Sequence, residues 1–182
     1  LTPGQCKEIT EEGLYTCLIR NPHWQPERLT HGRADICFLR DDSENEGKLR
    51  RTPMTKEEVR EVSICKLHLT QNAVVYDIGS GTGSVAIEIA GVPGRVQVYA
   101  IERKPEAVEL LRKNRAQFHM DNIQIIETPA PEGLEELPVP THAFIGGSGG
   151  RLMDILQVLY RKNPHMRIVI NAISMETIAE LK

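Results

Sequence analysis

Long apolar runs are missing from this 182-residue chain. Nothing in it approaches the ~20 consecutive apolar residues that cross a bilayer. A charge excess is missing too: 22 Lys and Arg against 25 Asp and Glu leave a net charge of −3. A broad nucleic-acid footprint is therefore not expected. The four cysteines (Cys6, Cys17, Cys37, Cys65) form no C-x-x-C pair. The six histidines show no H-x-x-x-H spacing and no cysteine neighbour at zinc-site distance. A disulfide framework and a zinc site are thus not read, and the thiols are expected to be reduced, in a cytosolic protein. Leu1-Thr2-Pro3-Gly4 lacks both a charged leader stretch and a Met. No secretory signal is read there, and the chain is expected to be a fragment of a longer protein. With 40% hydrophobic and 26% charged residues, the composition is that of one ordinary globular domain.

What is present is a strand, a glycine turn and a helix start in immediate succession. Ala73 to Ile78 is apolar but for Asp77, Gly79, Gly81 and Gly83 follow at alternate positions, and Val85, Ala86, Ile87, Ile89 and Ala90 continue as a helix. Such a turn brings a ligand directly onto the backbone, with N–H groups expected to point at it. The dinucleotide fingerprint is G-x-G-x-x-G. Here the spacing is G-x-G-x-G, with the acid Asp77 just before it. A carboxylate has little use beside a diphosphate, but suits a cationic, amino-bearing ligand, which points to S-adenosylmethionine. The next apolar run, Val96 to Ile101, ends in Glu102, 23 residues after Gly79, where an acid would take ribose hydroxyls. A dinucleotide site and a purely structural turn are the competing readings.

Leu14–Ile19 reads as a strand closed by Asn21-Pro22, and Asp41–Lys48 as a charged linker. Residues 1–50 are either the tail of a preceding domain with its linker or an extension of the main domain, which is expected to span 51–182. Pro53–Glu58 starts a helix, with Thr55 and Glu58 in a capping box and Val59, Val62 and Leu69 along one face. Beyond Gly83 strands and helices alternate. Strands are expected at Val96–Ile101, Ile123–Ile126, Thr141–Ile145 and Arg167–Asn171. Helices are expected from Ser84, from Pro105, as a short stretch over Gly133–Leu137, along Leu152–Leu159 and after a cap at Ser174. That alternation predicts an α/β fold with a parallel sheet covered on both faces, whose ligands bind outside the carboxyl ends of the strands. Asp77 with its turn, Glu102, Glu127–Ala130 and Ile145–Gly147 fall at those ends.

Several blocks together resemble one family. They are Pro53–Arg60 (PMTKEEVR), Asp77–Ser84 (DIGSGTGS), Tyr99–Arg103 (YAIER), Ala130–Glu132 (APE), Ile145–Gly150 (IGGSGG) and Ile170–Ala172 (INA). In them the chain resembles the decarboxylating precorrin-6B or cobalt-precorrin-6B C15-methyltransferases of cobalamin biosynthesis, over about residues 51–182. Residues 11–40 look like the end of the tetrapyrrole methylase domain fused upstream in the bifunctional version. The resemblance implies a Rossmann-like class I S-adenosylmethionine-dependent methyltransferase fold, usually homotetrameric. It also implies methyl transfer to C15 and loss of the C12 acetate carboxyl of a tetrapyrrole. Its cofactor contacts would be Thr55, the turn Gly79, Ser80, Gly81, Thr82 and Gly83, Glu102 and Ala130, with Asp77 added from the residues themselves. No essential general base is expected.

Two departures stand out. Pro129 occupies the place where many methyltransferases carry an acid for the adenine amino group. The antiparallel strands that usually close the fold would lie beyond Lys182, so the domain is expected to be C-terminally truncated. The acceptor is expected over Gly146, Gly147, Ser148, Gly149 and Gly150, with Arg50, Arg51, Lys56, Arg103 and Arg151 as candidate carboxylate partners. Competing functions are another methyltransferase on this fold, an NAD-dependent oxidoreductase, and a domain that binds the cofactor without catalysis.

Overall fold

A computed structural model describes residues 32–40, 52–172 and 175–180. The expectations for Leu14–Ile19, the charged linker, Arg50, Arg51 and Ser174 lie outside the described residues. A 3-10 turn, Asp35–Cys37, comes first. The elements that follow are α1 (Glu57–Leu67), β1 (Val74–Ile78), α2 (Ser84–Ala90), β2 (Gln97–Glu102), α3 (Pro105–Gln117), β3 (Ile123–Glu127), β4 (His142–Ile145), α4 (Leu152–Lys162), β5 (Arg167–Ile170) and α5 (Met175–Glu180). The five strands form one sheet in the order β3-β2-β1-β4-β5, with every neighbouring pair parallel. This is the Rossmann-like arrangement the alternation predicts.

The register places the site. Ile126, Ile101, Ile78, Ile145 and Ile170 form one row across the sheet. Because the pairing is parallel and in step, the residue after each isoleucine also falls in one row. That row is Glu127, Glu102, Gly79, Gly146 and Asn171. The strand order reverses between β1 and β4, so the crevice of an open parallel sheet opens beside Gly79 and Gly146.

Alternation along each strand splits the core in two. On one face Val75, Val98, Ala100 and Phe144 pack with α1, α2 and α3 through Ile64, Ile87, Ile89 and Leu111. On the other, Tyr76, Ile78, Ile101 and Ile145 pack with Leu152, Ile155 and Leu159 of α4 and with Leu134. Each such aliphatic side chain contributes roughly 1.5–3 kcal/mol by leaving water.

Three sequence expectations are corrected. The capping box at Thr55 does not form: the cap position is Lys56, with no side-chain bond, and the helix begins at Glu57. The Thr55 carbonyl is instead held by Arg60 Nη1 at 2.5 Å. Nor do Val59 and Val62 face the core; they are 45% and 59% exposed. The buried face of α1 carries Arg60, Ser63, Ile64 and Leu67, because the Arg60 guanidinium stacks on Phe38 4.7 Å from the ring centre. Residues 131–137 are turns rather than a helix. Gly133 is left-handed there (φ 75°), and the Tyr76 hydroxyl anchors the segment by donating to Pro138 O at 2.7 Å.

At the sheet's carboxyl rim two glycines approach backbone to backbone. A Cβ on Gly79 would lie 2.5 Å from Gly147 O and 2.8 Å from Gly147 N, and Gly79 is left-handed (φ 72°). Gly79→Ala therefore meets both backbone strain and a backbone clash. We expect a loss of roughly 3 kcal/mol or more in denaturant unfolding, well above the ~1 kcal/mol of an ordinary Gly→Ala at positive φ. A loss near 1 kcal/mol would show that the two turns can separate.

Candidate functional site

The glycine turn differs from a phosphate cradle in one respect that the sequence did not reveal. Four of its amides are already used. Gly79 N and Ser80 N both donate to Ile101 O, at 3.0 and 3.1 Å, and Gly83 N donates to Ser80 O at 2.9 Å. Gly81 N donates to Glu102 Oε2 at 2.9 Å. For Gly79, Ser80, Gly81 and Gly83 the expectation that the N–H groups point at a ligand is corrected: the glycines admit close approach while their own donors are taken. A Cβ on Gly81 would lie 2.8 Å from Pro53 O, so the segment before α1 lies against the turn.

Carboxylates flank it. Glu102 is 8% exposed, and besides Gly81 it accepts from Arg103 N and Lys104 N at 2.9 and 3.0 Å. These charge-assisted bonds fix the carboxylate at the end of β2. Asp77 is 1% exposed, and its Oδ2 accepts from Ser80 Oγ at 2.6 Å. Its Oδ1 and the Thr82 hydroxyl are buried without a hydrogen-bond partner among the described residues. Burial pushes the Asp77 carboxyl up to about 7; the Ser80 hydroxyl and the Ala86 backbone N–H work against that rise and the Glu102 charge adds to it. A buried acid with one oxygen unpartnered is costly, and an incoming cation with N–H donors relieves it. The residues thus fit a positively charged, hydroxyl-bearing ligand better than a diphosphate.

The remaining expected residues gather at the same rim. Thr55 is half-buried in the segment lying on Gly81, and Ala130 is half-buried beyond β3. Pro129 is exposed, so no side-chain acid is offered at its position. In the second turn Gly146 N and Gly147 N donate to Ile78 O. A Cβ on Gly147 or Gly150 would meet nothing within 4 Å, which leaves open space at those two positions. The candidate cations separate clearly. Lys56 pairs with Asp35 at 3.0 Å, and Arg151 with Glu132 and Asp154. Arg103 forms no ion pair among the described residues, and its Nη1 lies 3.4 Å from a Cβ built on Gly149. Because β1 lies between β2 and β4, the Arg103 side chain crosses above the crevice.

Sequence reasoning missed Asn114, Arg60 and Glu88, all buried polar side chains behind the turn. Asn114 had a signal: it occupies the apolar face of α3 with Ala107, Val108 and Leu111. No group of His, Cys, Asp or Glu among the described residues is arranged to hold a metal ion. No helix among them is long and apolar enough to cross a membrane.

Comparison with known proteins agrees with this geometry. A family model described as a precorrin methyltransferase domain matches residues 49–182. A protein of Sulfolobus acidocaldarius named probable cobalt-precorrin-6B C(15)-methyltransferase (decarboxylating) is 44% identical over 149 residues, covering 80% of this chain and 73% of that one. The Salmonella typhimurium cobalt-precorrin-6B C(15)-methyltransferase (decarboxylating) is 39% identical over 145 residues, 79% of this chain and 70% of that one. Among solved structures, precorrin-8W decarboxylase of Methanobacterium thermoautotrophicum superposes with a TM-score of 0.71 at 37% identity, covering 82% of this chain and 76% of that one.

The raised Asp77 carboxyl has a consequence that needs no ligand. Between its ordinary value of 3.8 and about 7, the folded chain holds a proton that the unfolded chain has lost. This group's contribution to stability therefore falls as pH rises through that window and is fully lost above it. Asp77→Asn should flatten that slope, changing the wild-type-to-variant difference between pH 5 and pH 8 by a few kcal/mol, at ~1.4 kcal/mol per unit. Urea unfolding at both pH values measures it, and parallel pH profiles would contradict the assignment.

Proposed function

The chain belongs to the precorrin methyltransferase family, and we propose that it transfers a methyl group from S-adenosylmethionine to C15 of precorrin-6B or cobalt-precorrin-6B and removes the C12 acetate carboxyl as carbon dioxide, in cobalamin biosynthesis. The observation that carries this reading is the glycine turn whose own amides are satisfied while Asp77 Oδ1 is not. It favours an ammonium- and sulfonium-bearing donor and leaves a diphosphate without the N–H groups of Gly79, Ser80, Gly81 and Gly83.

The cofactor, when bound, supplies an electrophilic methyl group on sulfur. The protein's part is placement. In this reading Asp77 faces the cationic methionyl end, Glu102 takes the ribose hydroxyls, and Thr55 and Ala130 close the two sides. The acceptor lies over Gly146–Gly150, where missing side chains leave room for a flat ring. Close, fixed approach of donor and acceptor carbon is worth several kcal/mol of barrier without any general base. The turn and its two acids would hold the donor, whose sulfur would keep the pair of the broken sulfur–carbon bond while the macrocycle supplies the pair for the bond to C15. In the decarboxylation the pair from the broken carbon–carboxyl bond passes into the conjugated macrocycle. Arg103 takes an acceptor carboxylate across the crevice mouth. Assembly as a homo-oligomer belongs to the same proposal.

Calorimetry with S-adenosylhomocysteine and with NAD, followed by mass analysis of precorrin-6B turnover, tests the reading. We expect binding of the first only, and a product that has gained one methyl and lost one carboxyl. Binding of NAD alone would overturn it. Asp77→Ala and Glu102→Ala should each weaken cofactor binding by about 10- to 100-fold, the worth of a lost charged hydrogen bond. Arg103→Ala should raise the tetrapyrrole KM about tenfold at unchanged cofactor affinity; a loss of cofactor affinity instead would move Arg103 to the donor side.

A further inference from the structure

The segment Gly32–Arg40 precedes residue 49, where the family match begins, yet it is bound to both walls of the cofactor turn. Apolar burial alone does not explain its position. Phe38 is its one buried large apolar residue, while Ile36 is 93% and Leu39 41% exposed. Its anchors are polar side chains of the helices around the turn.

The first anchor is Asn114 of α3, which is 0% exposed. Its Oδ1 accepts from Leu39 N at 2.7 Å, and its Nδ2 donates to Leu39 O at 3.1 Å and to Thr82 O at 2.9 Å. One carboxamide thus ties the segment to the glycine turn itself. The second is Arg60 of α1, also 0% exposed. Its Nη1 donates to Asp35 Oδ1 at 2.7 Å and to Thr55 O at 2.5 Å, and its Nη2 donates to Arg33 O. It ties the segment to the stretch lying on Gly81. The third is Glu88 of α2, whose carboxylate accepts from Gly32 N and Arg33 N and pairs with Arg33 Nη1 at 3.1 Å. Without the segment, Asn114 would keep one of three bonds, and Arg60 would lose Asp35, Arg33 O and the Phe38 ring. Buried groups so stripped force local rearrangement.

We propose that residues 32–40 are a clasp that holds the cofactor turn in its binding conformation, with Asn114 and Arg60 as the positioning residues that transmit it to Thr82 and Thr55. The proposal rests on reading this turn as the S-adenosylmethionine site. A turn held ready binds at its intrinsic affinity, whereas one that is competent a tenth of the time binds about tenfold more weakly.

The test uses the full chain with Asp35→Ala, Asp35→Glu and Asn114→Ala, measured well below each melting temperature. Calorimetry gives the Kd for S-adenosylhomocysteine, and amide exchange reports on residues 80–84 and on β2. The clasp predicts a Kd about tenfold higher in Asp35→Ala and in Asn114→Ala, faster exchange at 80–84 with β2 unchanged, and recovery of both in Asp35→Glu. A purely structural role would lower the melting temperature alone; a Kd within twofold of wild type and unaltered exchange at 80–84 overturn the proposal. Should Asn114→Ala not fold, Asp35→Ala, altered on the half-exposed segment, decides. Failure of the wild-type chain to bind S-adenosylhomocysteine would reject the cofactor reading instead, and the exchange data would still decide whether the segment orders the turn.

Discussion

Backbone against backbone, Gly79 and Gly147 hold the carboxyl rim together. Neither turn has a side chain to place between them, so the ends of β1 and β4 meet at van der Waals contact. In-step parallel pairing had already brought those ends level, with Ile78 opposite Ile145. Together they set the distance between whatever binds at the first turn and whatever lies over the second. An enzyme that works by bringing a donor carbon to an acceptor carbon needs that distance above all else. The glycines at 147 and 150 add space on the outer side, so one short stretch serves both close packing and access.

Electrostatics then selects what the first turn receives. Three strand-end features act jointly: the Ile101 carbonyl, the Glu102 carboxylate and the Ser80 carbonyl consume the turn's donors. A related turn in a nucleotide-binding fold presents such donors to phosphate. Here what remains is acidic: Glu102 beside the turn and, beneath it, Asp77, raised by burial and with one oxygen unpartnered. The same backbone shape that could hold an anion is turned toward a cation by two acids, one under the turn and one beside it.

Much of this was legible in the sequence, for physical reasons that can be named. Parallel strands buried on both faces read as apolar runs, and the residue that breaks each run is the one at the rim. Asp77, Gly79, Glu102 and Gly146 were therefore visible as interruptions. The capping box at Thr55 was misread because its pattern is local, whereas the Thr55 carbonyl is held by Arg60 within a cluster reaching Asp35, 25 residues earlier. The same cluster reversed the face of α1, since Arg60 is sealed under Phe38 and two valines face outward. Gly133–Leu137 is read from the sequence as a short helical stretch, but is shaped by a left-handed glycine and by the Tyr76 hydroxyl from another element. Long-range polar contacts leave no periodicity, and these are what one chain of letters conceals. Asn114 is the exception, a carboxamide on an otherwise apolar helix face.

The most direct measurement is a crystal structure of the chain grown with S-adenosylhomocysteine. The account predicts the amino group near Asp77, the ribose hydroxyls on Glu102, and the sulfur facing the open side of Gly146–Gly150. Density for the ligand elsewhere on the protein, or a diphosphate occupying the Gly79–Gly83 turn in competition, would contradict it.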